Sequence, residues 1–65
     1  MHGQELKGQW KQLAGEAKRR WGKLTDDDVT AIEGDRDKLI GKVMERHGKS
    51  KDEAERDVHE WIENQ

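Results

Sequence analysis

The chain resembles itself at a spacing of 26 residues. Residues 6–28, LKGQWKQLAGEAKRRWGKLTDDD, lie over residues 32–54, IEGDRDKLIGKVMERHGKSKDEA, and seven of the 23 pairs are identical. Ordinary composition gives about one or two. The shared pairs are Gly8/Gly34, Leu13/Leu39, Gly15/Gly41, Arg20/Arg46, Gly22/Gly48, Lys23/Lys49 and Asp26/Asp52. This duplication limits the folds open to the chain. Each copy, about 6–31 and 32–62, is long enough for one helical hairpin and too short to bury its own apolar face. Two copies are also too few for a solenoid. The expected architecture is a single domain over 1–65, all-α, with four short helices arranged as two crossed α-hairpins.

The helix boundaries can be read from their caps. Thr25-Asp-Asp-Asp28 and Ser50-Lys-Asp-Glu53 each put a hydroxyl at the N-cap and a carboxylate three residues on. In that pattern each side chain accepts from the other residue's amide, and acids in the first turn suit the positive end of the helix dipole. Leu24, just ahead of the first cap, is placed to act as a hydrophobic staple. Gly22 and Gly48 read as C′ glycines, and Gly34 marks the end of the second helix. The predicted helices are 4–20, 26–33, 35–47 and 51–63. The chain has no proline and few β-branched runs, so nothing favours strands.

Apolar residues recur at helical spacing and define a core. They are Leu6, Trp10, Leu13, Ala14, Ala17 and Trp21 in the first helix, and Val29 and Ile32 in the second. The third supplies Leu39, Ile40, Val43, Met44 and the bordering His47, and the fourth Ala54, Val58, Trp61 and Ile62. At about 100° per residue, Gly8 and Gly15 fall nearly opposite the first stripe, and Gly41 falls opposite the third. Glycine inside a helix costs about 1 kcal/mol relative to alanine. Gly8, Gly15 and Gly41 therefore mark either a solvated back or a surface that something approaches closely.

The sequence excludes several function classes. There is no cysteine, hence no disulfide framework and no zinc array of Cys/His spacing. No apolar run approaches the length of a membrane span or a signal peptide, which points to a cytoplasmic protein with no membrane partner. The only hydroxyls are Thr25, Thr30 and Ser50, and two of these are caps. No nucleophile–base constellation and no phosphate-cradling loop is visible, so neither an enzyme nor a cofactor is expected. His59 and Glu63, one turn apart, are too few ligands for a metal. A core this small is not expected to leave a cavity of several hundred Å3.

Charge is unevenly spread. Residues 1–25 hold six Lys/Arg against two Glu, and residues 26–65 hold seven against thirteen Asp/Glu. The simpler consequence is attraction between the halves, within one molecule or weakly between monomers. The alternative is a weak nucleic-acid-binding face on the first helix, using Lys11, Lys18, Arg19, Arg20 and Lys23. Asp26, Asp27 and Asp28 stand beside that face, and the pI near 5.9 is unlike that of a dedicated nucleic-acid binder. Only Trp21 lies near those cations as a stacking surface.

The segments KGQWKQLAGEAKRRWGKLTDDD and IEGDRDKLIGKVMERHGKSKDEAERDV together resemble the CsbD-like family of small bacterial general stress proteins. WGKLTDDD followed by IEG and L-x-G-K carries most of the likeness. His47 stands where that family usually has an aromatic residue, and Met44 where a polar one is common. The resemblance implies a SAM-like bundle of crossed hairpins and a non-enzymatic role in general stress. It implies no catalytic residues.

Overall fold

A computed structural model describes residues 3–65, with side chains from Leu6 onward. Four helices follow one another: α1 Gly3–Arg20, α2 Asp26–Ile32, α3 Arg36–His47 and α4 Lys51–Glu63. Both capping boxes form. Thr25 Oγ1 accepts from the Asp28 amide and Asp28 Oδ2 accepts from the Thr25 amide, each at 3.0 Å. Ser50 Oγ accepts from the Glu53 amide at 3.2 Å, and Glu53 Oε1 accepts from the Ser50 amide at 3.1 Å. Asp35 starts α3 in a simpler way, accepting from the Lys38 amide at 3.0 Å.

The helix ends differ more from expectation. Gly48 closes α3 in the left-handed region at φ 61, with its amide donating to Met44 O. Gly22 has no such role, because its φ is not positive. The Trp21 amide still donates to Ala17 O, and the Leu24 amide then donates to Trp21 O, both at 2.9 Å. That tight turn needs no glycine. At the end of α2 the left-handed cap is Glu33, at φ 51, and Gly34 follows at φ 78.

Gly34 is the glycine that packing requires. A Cβ there would lie 2.6 Å from the Lys7 Cα, 3.0 Å from the Trp10 Cβ and 3.2 Å from Leu6 O. The backbone of α1 therefore rests directly on the α2–α3 turn. Gly8, Gly15 and Gly41 are exposed, and a Cβ on any of them would meet nothing within 4 Å. They face away from the core, as the helical wheel indicates.

The core takes in Leu6, Trp10, Ala17 and Trp21 from α1 and the turn after it, with Leu24, Val29 and Ile32 from the same turn and α2. Leu39, Ile40 and Val43 come from α3, and Ala54, Val58, Trp61 and Ile62 from α4. Leu13, Ala14 and Met44 pack at its edge. All three tryptophans are buried. Trp10 Nε1 donates to Val29 O at 2.9 Å, so α1 is tied to α2 as well as packed on it. The Trp21 and Trp61 rings meet edge to face at 5.1 Å. Such pairs are worth about 0.5–1.5 kcal/mol beyond the area they bury. α3 lies closest to α4 and α2, while α1 docks on α2 and reaches α4 through Trp21.

Candidate functional site

The five cations proposed for nucleic acid do not form one open face. Lys11 and Lys23 are exposed. Lys18 Nζ pairs with Asp26 Oδ1 across the α1–α2 turn, and Arg19 Nη1 lies 3.0 Å from Glu16 Oε1 on its own helix. Arg20 reaches across the molecule to Asp57 on α4. Three of the five thus already have carboxylate partners. Trp21 is 1% exposed and offers no ring face to a base.

The strongest polar features are two carboxylates, Asp28 and Asp57. Asp28 is 3% exposed. It closes the Thr25 capping box and also receives a two-pronged contact from Arg46, Nε to Oδ2 and Nη2 to Oδ1, each at 2.9 Å. Lys42 Nζ stands 3.5 Å from Oδ1. The Arg46 guanidinium, and after it the Thr25 amide, hold this carboxyl far below the usual carboxylate range against the opposing effect of burial. One side chain thereby starts α2 and fastens it to α3.

Asp57 sits mid-helix on α4 and is partly buried. Trp21 Nε1 donates to its Oδ2 at 2.7 Å, Lys49 Nζ reaches the same oxygen at 3.1 Å, and Arg20 takes Oδ1. Burial alone would raise its pKa. The bonds from Trp21, Arg20 and Lys49 outweigh that and hold the carboxyl below its ordinary value. The end of α1, the α3–α4 turn and α4 meet on this one group. Arg20 and Arg46 occupy matching positions of the 26-residue repeat, and each binds an acid in the other half of the chain.

The spacing of residues contains a faint sign of one of the two clamps. Asp57 lies within the run 54, 57, 58, 61 that forms the buried edge of α4, and an acid at such a position requires a partner. Asp28 reads from its neighbours only as a cap. Its second role depends on a residue 18 positions away.

His47, in the register of Trp21, is half-buried, and its Nε2 is buried without a hydrogen-bond partner. His59 Nε2 lies 3.4 Å from Glu63 Oε1 on the exposed side of α4. Among the described residues no three His, Cys, Asp or Glu side chains stand together as a metal-holding group, and no helix is long and apolar enough to cross a membrane.

The expectation of no sizeable cavity does not hold. An open groove of about 430 Å3 runs between α2 and α3, lined by Ala31, Ile32, Lys38, Gly41, Lys42 and Glu45. Gly41 leaves its floor bare.

The sequence has clear relatives. The family model described as CsbD-like matches residues 4–56. The UPF0337 protein YjbJ of Escherichia coli (strain K12) is 56% identical over 61 residues, covering 94% of this chain and 88% of the relative. A UPF0337 protein of Pectobacterium atrosepticum is 52% identical over 61 residues, with the same coverage of 94% and 88%. A UPF0337 protein of Bordetella pertussis is 46% identical over 63 residues, covering 97% of this chain and 96% of the relative.

Proposed function

Because the chain belongs to the CsbD-like family, we propose that it is a small, highly hydrated general stress protein of the bacterial cytoplasm. It works without catalysis, through its abundance or by binding a macromolecule. The observation that supports this reading is the state of its two most enclosed carboxylates. A general base needs a proton affinity near the working pH. Asp28 and Asp57 are both surrounded by cations and held below the ordinary carboxylate range. Groups in that state fasten helices and do not move protons.

The test is cellular. Protein level and survival are compared between wild-type and deletion strains under osmotic, oxidative and stationary-phase stress. Induction together with reduced survival of the deletion strain is expected. An unchanged level and equal survival in all three conditions would falsify the stress role.

The nucleic-acid reading rests on Lys11, Lys18, Arg19, Arg20 and Lys23, of which Lys11 and Lys23 are exposed and Lys18, Arg19 and Arg20 already have carboxylate partners. Titration with DNA and RNA at two salt concentrations separates it from the first. Phosphate contacts give affinity that falls steeply with salt. Binding at low salt that disappears when Lys11, Arg19 and Lys23 are neutralised would favour this alternative. No binding at low salt would end it.

A further inference from the structure

We propose that α1 is a strap that opens ahead of the rest of the fold, with Asp57 as its catch. The other three helices form a continuous stack, in which α3 packs on both α4 and α2. The Asp28–Arg46 clamp lies wholly inside that stack. The Thr25 capping box starts α2 without help from α1. α1 is held more lightly. Its backbone comes close to α2 and to the turn at Gly34. Its polar ties to the stack are few. Trp10 Nε1 donates to Val29 O, and the exposed pair Lys18–Asp26 spans the turn into α2. Arg20 and Trp21, at the end of α1 and just beyond it, both end on Asp57. Lys49 binds the same carboxylate from the α3–α4 turn. The catch is thus anchored in the stack, and α1 supplies the bolt.

The strap has a hinge and little strength of its own. Gly22 and Lys23 are exposed between buried Trp21 and Leu24, so a bend there leaves α2 in place. α1 has 18 residues, a length at which an isolated helix is marginal in water. Gly8 and Gly15 weaken it further. Detachment and unwinding therefore coincide. Opening uncovers Leu6, Trp10, Ala17 and Trp21, all buried in the closed form, and that apolar area keeps the open form rare. In the closed form no large apolar side chain is exposed among the described residues. The strap decides whether the molecule shows such a surface at all.

Native-state hydrogen exchange, read amide by amide in low urea, tests this. In the wild type the buried-face amides of α1, around Ala17 and Trp21, are expected to exchange faster than those around Val58 and Trp61, with a weaker urea dependence. Asp57→Asn is expected to speed α1 at least about tenfold more than α4, the scale of charge-assisted hydrogen bonds lost. Two single-sided variants separate a catch from a general weakening. Arg20→Gln is expected to speed α1 about threefold relative to α4, as suits one partly exposed ion pair. Lys49→Gln removes an ion pair on the same carboxylate within the stack and is expected to change that ratio less than about twofold. Arg20 is an exposed position, so its variant reports even where Asp57→Asn does not fold. The proposal is overturned if α1 and α4 exchange through one common opening in the wild type, with equal rates and equal urea dependence. It is equally overturned if Arg20→Gln and Lys49→Gln shift the ratio alike.

Discussion

Gly8 and Gly34 occupy matching positions of the repeat and have opposite surroundings. Gly8 lies on the outer side of α1 with open space around it, while Gly34 is pressed against the α1 backbone at Lys7, the residue next to Gly8. Two further matched pairs diverge in the same way. Arg46 grips a buried acid that also closes the Thr25 capping box, and Arg20 grips an acid in the middle of a helix. Trp21 has its N–H satisfied by Asp57, whereas the Nε2 of His47 is buried without a partner. Similar residues at matching positions do not have similar duties, because the two segments meet different neighbours in the fold: Gly34 meets the α1 backbone and Gly8 meets open space.

The most severe way to break the glycine comparison is Gly34→Ala. A methyl group there meets backbone atoms that cannot turn aside, at a φ of 78 that L residues rarely adopt. A loss of at least about 3 kcal/mol is expected, which lowers the thermal midpoint by about 12 °C or more in a domain this size. Gly8→Ala in the same experiment is expected to leave the midpoint unchanged or raise it.

The two clamps come next. Asp28→Asn is expected to destabilise more than Asp57→Asn, since it weakens a cap and a two-pronged ion pair together. Acid supplies the sign. Both carboxyls have folded-state pKa values below the ordinary value. Their contribution is therefore fully present above the unfolded pKa, about 3.9. It is lost as pH falls through the folded values. Urea denaturation between pH 7 and pH 2 is expected to show a plateau down to about pH 5 and a decline below it. The deficit of Asp28→Asn relative to wild type is expected to shrink along that decline. A constant deficit across the range would mean that Asp28 does not act through its charge.

Smaller gains sharpen the comparison from the other side. His47→Phe removes a buried, unpartnered nitrogen from the core edge and is expected to stabilise by about 1 kcal/mol. Gly15→Ala and Gly41→Ala are each expected to stabilise by up to about 1 kcal/mol, read as a higher midpoint in chemical or thermal denaturation. Gly22→Ala, at a turn that does not use positive φ, is expected to change stability by less than about 0.5 kcal/mol.

By itself the sequence determined the number of helices, their boundaries to within a residue or two, both capping boxes and nearly all of the apolar core. These depend on interactions within one helical turn or on helical periodicity, and both are visible in neighbouring residues. Only the tertiary structure decided that Gly34, and not Gly22, is the glycine that the fold cannot replace, because that depends on where α1 comes to rest. It also decided that Arg20 meets Asp57 and Arg46 meets Asp28, across 37 and 18 residues. The basic end of α1 looks open to a ligand as a sequence because its carboxylate on α4 is distant along the chain. The groove at Gly41 is hidden for the same reason: its second wall belongs to a different helix.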